Sequence, residues 1–172
     1  MVSGSTTDGE VGIEFVVITD HSGARPYTYH VPLTYRGSPL PDAAESVVGT
    51  SEHGVLGTRW VYDATRDPVA VAQIVALLTG NARPQAQSAG DTPDPSVTVR
   101  RTDMLSPTAE FGAVRDGSSC TDILVGDRIV RIHRLLHASI SLAEQTGAGR
   151  VSAPSRLSED VTVSDVLISV AA

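Results

Sequence analysis

The sequence predicts an α+β fold, antiparallel strands with one main helix packed on them. Three observations carry the prediction. Residues 27–35 alternate strictly in character, the stretch 67–80 reads as a capped helix, and several β-branched runs separated by turn residues follow residue 96. At 172 residues and 41% hydrophobic the chain can bury one ordinary core. With aromatics at 4%, that core has to be built from Val, Ile, Leu and Ala.

Taken in order, residues 1–10 ("MVSGSTTDGE") are small and polar, and are expected to form a flexible lead-in. A core over 11–80 opens with "VGIEFVVITD", turns at "HSGA" and returns through "RPYTYHVPLTYR", an antiparallel hairpin. In the second run Tyr27, Tyr29, Val31, Leu33 and Tyr35 share one face, and Thr28, His30, Pro32 and Thr34 the other. Pro32 lacks an amide donor, so this strand is expected at a sheet edge or with a bulge. After the loop "GSPLPDAAES" comes a short strand, "TRWVYDA", with Trp60 and Tyr62 on one face. The helix follows: Asp67 is a good cap, Pro68 suits the first turn, and Gly80 can close the end in a left-handed conformation. Val71, Ile74, Val75 and Leu78 recur at helical spacing and are expected to pack on the sheet.

Residues 81–96 hold three prolines and almost no large apolar side chains, as an exposed linker would. Strands are expected in "VTVRRTD", "EFGAVRD" and "TDILVGDRIVRIHRLL", the last split at Gly126-Asp127, which together fill 97–136. The segment 137–172 is expected to be weakly structured, with one strand from Val161 to Val170.

Composition narrows the chemistry. All 13 basic residues are arginines, which removes P-loop lysines, Schiff-base lysines and the strand lysine that holds ATP phosphates in kinase-like folds. Twenty acidic groups give a net charge of −7, and no arginine stripe exists to follow a phosphate backbone, so nucleic acid is not an expected partner. The lone thiol, Cys120, allows neither an internal disulfide nor a cysteine-based metal site, and fits a reducing compartment. No basic start precedes an apolar run, and no window approaches the ~18 apolar residues of a membrane span, so a soluble cytoplasmic protein is expected.

Zinc-protease, P-loop, nucleophile-elbow and dinucleotide motifs are missing, and "GAGRVS" at Gly147 reads as a plain loop. None of His21, His30, His53, His133 and His137 stands beside a second ligand at metal spacing, so neither a metal nor a cofactor is expected. Glu52 and His53 are neighbours in a strand and point to opposite faces, which argues against a shared acid–base role.

"VPLTYRGSPL" followed by "GTSEHGVLGTRWVYDATRDPVAVAQIVALLTG" resembles, from Val31 to Gly80, the N-terminal cap domain of actinobacterial maltokinases and related aminosugar kinases. "SSCTDILVGDRIVRIHRLL" is similar to the first strands of the ATP-binding lobe of those enzymes. The family's Ser-Asn-Thr-Ser loop here reads Ser119-Cys120-Thr121-Asp122. Arg131 falls where the phosphate-holding lysine would be, and Arg134 matches a later arginine. The family's N-terminal helix is missing or reduced to residues 1–10, and neither its histidine-glycine-aspartate catalytic loop nor its metal-binding aspartate occurs in the sequence. For the fold, the resemblance implies a curved, cystatin-like antiparallel sheet with a helix against it, followed by strands like those of the kinase N-lobe.

The resulting expectation is a cap-like protein without catalysis of its own, an interaction or regulatory module near α-glucan, glycogen, maltose or trehalose metabolism. Its partner would be another protein, a sugar kinase or glucan-metabolism enzyme, met through an apolar edge of Val55, Leu56, Trp60 and Tyr62. Arg131 would be a degenerate phosphate-holding position. Two alternatives stand beside this reading: a split sugar kinase that needs a separate catalytic lobe, and a small-ligand module in which Thr28, His30 and Thr34 converge in a pocket.

Overall fold

The computed structural model describes residues 2–6, 9–41, 43–85, 92–136, 149–156 and 161–171. Two antiparallel sheets flank one α-helix. The first contains β1 (Val2–Thr6), β2 (Gly9–Asp20), β3 (Tyr27–Arg36), β5 (Gly57–Asp63) and β4 (Val47–His53), in that spatial order. The second contains β6 (Thr98–Arg100), β11 (Arg150–Arg156), β12 (Thr162–Ala171), β9 (Arg128–His133), β8 (Cys120–Val125) and β7 (Phe111–Asp116), again in spatial order. A two-residue strand, β10 (Leu135–Leu136), leaves the second sheet and pairs with Tyr29 and Thr28 of β3 in the first. Among the described residues no helix is long and apolar enough to cross a membrane.

Helix α1 (Pro68–Thr79) follows the caps read from the sequence. The Asp67 carboxylate accepts from the Val69 N–H at 2.9 Å, and Gly80 closes the end at φ 83°, where a residue with a Cβ would be strained. Val71, Ile74, Val75 and Leu78 are buried as expected, but chiefly against Ile123, Val130, Ile132 and Ile168 of the second sheet. A different face, Ala70 and Leu77, meets Val11 and Ile13 of β2 in the first. The helix is therefore the filling between two sheets. Its sequence, "PVAVAQIVALLT", carries no charge, and a helix apolar nearly all round is one covered on more than one side.

Three expectations are corrected. Residues 2–6 are not a loose lead-in: they pair with β2 from Val2↔Ile13 to Thr6↔Gly9, and β2 itself starts at Gly9. The C-terminal segment holds two strands rather than one, and β12 lies in the interior of the second sheet between β11 and β9. Pro154 hid β11 from a sequence reading. It is tolerated because β6 pairs only with residues 150–152, which leaves that edge of β11 open at Pro154.

The third correction concerns Pro32, which sits in a central strand without a recorded bulge, opposite Phe15 of β2. The other side of β3 is shared, with β5 pairing to residues 33–36 and β10 to residues 28–29. The His30 N–H points to that side and bonds the Arg134 carbonyl at 2.9 Å. Pro32, two residues on, directs its missing donor the same way, into the gap between β5 and β10. The loop after the helix contains a bridge, Gln85↔Pro93, and residues 86–91 of the expected linker lie outside the described ones.

Candidate functional site

Strand β3 is the place to begin, because its two faces have opposite fates. The inner face carries Thr28, His30, Thr34 and Arg36, none more than 6% exposed. These side chains neither converge in a pocket nor meet water, as the small-ligand alternative required; they close the seam between the sheets. The Thr28 hydroxyl bonds that of Thr19 at 3.0 Å, and His30 Nδ1 bonds the His133 carbonyl at 3.0 Å. That bond makes Nδ1 the protonated nitrogen of the neutral ring, and Nε2 has no partner among the described residues. Burial pulls the His30 pKa down from 6.5 to about 4, against the smaller upward effect of its bond to His133.

Arg36 and Asp67 form a bidentate pair, Nε to Oδ2 and Nη2 to Oδ1, both 2.7 Å, with side chains 7% and 0% exposed. Asp67 thus caps the helix and anchors it to β3. Burial pushes its carboxyl up, but the bonds from Arg36, that residue's charge and the Val69 N–H outweigh it and hold the group below the usual carboxylate range.

The outer face of the same sheet is open. Ile18 and Tyr27 are half exposed, at 50% and 51%, and Tyr29, Val31, Leu33 and Tyr35 are partly so. The β4–β5 hairpin extends this face, with Val55 at its tip 88% exposed and Leu56 54%. Of the four residues expected to form an apolar edge, these two are presented to solvent. Trp60 is half-buried, facing Thr50 and Arg36 across the ladder. Tyr62 is 1% exposed and presents no surface: its position opposite Thr34 puts it on the inner face, where its hydroxyl accepts the Leu40 N–H at 2.9 Å.

The two arginines singled out on the second sheet are both engaged. Arg131 lies opposite Asp122 in the β8–β9 ladder and grips it with two bonds, Nε at 2.7 Å and Nη2 at 2.9 Å. Those bonds lead the causes that keep the Asp122 carboxyl below its ordinary range. Arg134, at the crossing from β9 to β10, donates from Nη2 to Asp63 at 2.6 Å and to Thr65 at 3.3 Å, and from Nε to Thr121 at 3.0 Å. Asp116 completes this junction by accepting from Thr121 and pairing with Arg66. Burial raises the Asp116 carboxyl, while Thr121 and Arg66 more than compensate and lower it.

Among the described residues no cluster of three or more His, Cys, Asp or Glu could hold a metal ion. The geometry therefore contains a structural junction of arginines and carboxylates on one side and an open sheet face on the other. Sequence reasoning missed Glu14, Ser51 and Arg59, which line a cavity in that open face. Each is a lone polar residue in a strand, and only the register between strands brings them together.

No curated protein matches the chain. The sequence model of the maltokinase N-terminal cap domain matches residues 2–67, from the first strand of the first sheet to the cap residue of the helix. Residues 68–172 lie beyond that match, and the stretch from Val2 to Asp67 is similar to the maltokinase N-terminal cap domain.

Proposed function

We propose that this chain is a non-catalytic, cap-like interaction module of the cytoplasm, tied to α-glucan, maltose or trehalose metabolism. It docks a protein partner, a sugar kinase or a glucan-metabolising enzyme, through the open face of its cystatin-like first sheet. The observation that carries this reading is the engagement of Arg131 and Arg134 by Asp122 and Asp63. A guanidinium committed to a carboxylate of its own chain has to break that pair before it can neutralise a transferred phosphoryl group. Phosphoryl transfer also needs carboxylates that hold metal and a residue that orients the acceptor hydroxyl. Arginine's planar fork does not replace the compact lysine ammonium at such a position.

The docking role rests on two exposed apolar pairs, Ile18 and Tyr27 beside the β2–β3 turn and Val55 and Leu56 at the β4–β5 turn at the other end of the sheet, since exposed apolar surface marks interaction sites. The test is calorimetric titration with Mg-ATP, followed by incubation with ATP and glucose, glucosamine or maltose and a search for sugar phosphate by mass spectrometry. No turnover is expected. Sugar-dependent turnover abolished by Arg131→Ala would overturn the reading and favour a kinase remnant.

A further inference from the structure

We infer that the free edge of β2, from Phe15 to Thr19, takes up an extended segment of a partner protein as an added strand, one with an acidic side chain followed at alternate positions by two apolar ones. Strand β1 covers β2 only from Gly9 to Ile13, and no other strand among the described residues pairs on that side. The direction of the backbone groups follows from β3. The His30 N–H turns away from β2 to the Arg134 carbonyl, so Val17 and His30 face each other as a non-hydrogen-bonded pair. Val17 therefore points its own N–H and C=O away from β3, and by alternation so do Phe15 and Thr19. No backbone partner for these groups is found among the described residues. Such a row is a template for another strand, and neither a proline nor a lysine nor a recorded bulge guards "FVVIT".

Two cavities beside this edge say which side chains the added strand carries. The first, about 240 Å³, is walled on its apolar side by Phe15, Val17, Leu77, Val151, Ala153 and Leu167. The carboxylate that also lines it, Asp94, is occupied by the Ser96 N–H and hydroxyl at 2.9 and 2.6 Å. The second, about 370 Å³, is lined by Val17, Thr19, Pro154, Ser155, Arg156 and Thr162, where β6 has left the edge of β11. Arg156 is exposed, and no ion pair to it is found among the described residues. An added strand sets alternate side chains beside Phe15, Val17 and Thr19. Those next to Phe15 and Val17 meet apolar walls, while the one next to Thr19 meets hydroxyls and a guanidinium, which suit a carboxylate. Running antiparallel to β2, the more stable arrangement, the segment reads acidic-x-apolar-x-apolar.

A second copy of this chain is the poorer occupant. Pairing β2 with β2 antiparallel about Val17 sets Glu14 opposite Asp20 at both ends, and like charges directly opposite destabilise a ladder. It also sets Phe15 of the other copy opposite Thr19, which brings Arg156 no acid.

The experiment is a titration of the purified chain with an end-blocked peptide, Ser-Glu-Thr-Leu-Thr-Val-Ser, followed by calorimetry and backbone NMR. Saturable binding is expected, with amide shifts centred on Phe15, Val17 and Thr19. Lysine in place of the peptide's glutamate should weaken binding about tenfold, and Arg156→Glu should reverse that preference. N-methylation of the peptide's leucine, whose N–H meets the Val17 carbonyl, should also weaken it about tenfold. Val17→Pro loses only the outward N–H, so it should keep the β2–β3 ladder and abolish binding. If Val17→Pro does not fold, the charge reversal at Arg156 carries the test. No saturable binding, binding indifferent to N-methylation, or equal affinity for the glutamate and lysine peptides would overturn the inference. So would a dimer in sedimentation that Arg156→Glu leaves intact and the peptide dissociates, since a second copy would then hold the edge. Tyr27→Ser, on the outer face, should leave peptide binding unchanged, so failure here leaves the docking reading standing, and the failure of that reading leaves this one standing.

Discussion

The two faces of strand β3 reverse the usual order of polarity, whereas its neighbour β2 turns Val11 and Ile13 inward. On β3 the buried side carries threonines, a histidine and an arginine, while tyrosines, Val31 and Leu33 line the open side. For β3 alone, apolar surface would choose the opposite orientation, while Val11 and Ile13 of β2 and Tyr62 of β5 favour the one observed. The polar side chains of β3 share the inner face with Val11 and Ile13 of β2, and most of them find partners there. Arg36 meets Asp67, His30 meets the His133 carbonyl, and Thr28 meets Thr19. A polar side chain pays little for leaving water when its hydrogen bonds are remade inside. The open face is left with the tyrosines, Val31 and Leu33 of β3, all partly exposed.

The comparison breaks most sharply at Asp67. Asp67→Ala removes the helix cap and the carboxylate that faces a guanidinium with little exposure, so a loss of about 3–5 kcal/mol is expected in urea unfolding. A loss below about 0.5 kcal/mol, the usual range for surface changes, would mean that the inner face is not the buried one.

A second effect should come from acid. The folded pKa of His30 lies near 4, below its ordinary 6.5, so the unfolded chain binds the extra proton first. The contribution of neutral His30 is then complete above pH 6.5 and is lost as pH falls toward 4, on the order of 3 kcal/mol over that window. His30→Gln should flatten the stability profile between pH 6.5 and 4. The lowered carboxyls of Asp67, Asp116 and Asp122 act further down, with stability lost as pH falls through their folded values. A profile in which His30→Gln retains the full slope would place the imidazole in solvent.

The smallest effect is expected on the open side. Val55→Ser and Tyr27→Ser should change stability by no more than about 0.5 kcal/mol, measured by thermal unfolding, because both side chains are mostly solvated already. A large loss at Tyr27 would show that the outer face is a core.

Much of this was legible in the sequence. Asp67, Pro68 and Gly80 marked the helix because caps are local chemistry, and the alternation of 27–35 fixed which side chains share a face. Which of those faces turns inward was not legible, since the partners of Arg36 and His30 lie 31 and 103 residues away. The absence of charge in "PVAVAQIVALLT" was a readable sign that α1 would be covered from two sides. β1 and β11 were hidden for different reasons: "VSGST" has almost no apolar signal, and "RVSAPSR" carries a proline whose tolerance depends on where β6 stops. The cavity of Glu14, Ser51 and Arg59 is a product of register alone.

The central claim, that the first sheet turns the Thr28, His30, Thr34 and Arg36 face of β3 inward and leaves its tyrosine face open, is tested most directly by hydroxyl-radical footprinting of the purified chain, read by mass spectrometry residue by residue. Rapid modification of Ile18, Tyr27, Val55 and Leu56 is expected, with Tyr62 and His30 protected until the protein unfolds. Protection of Ile18 and Tyr27 together with rapid modification of His30 and Tyr62 would contradict it.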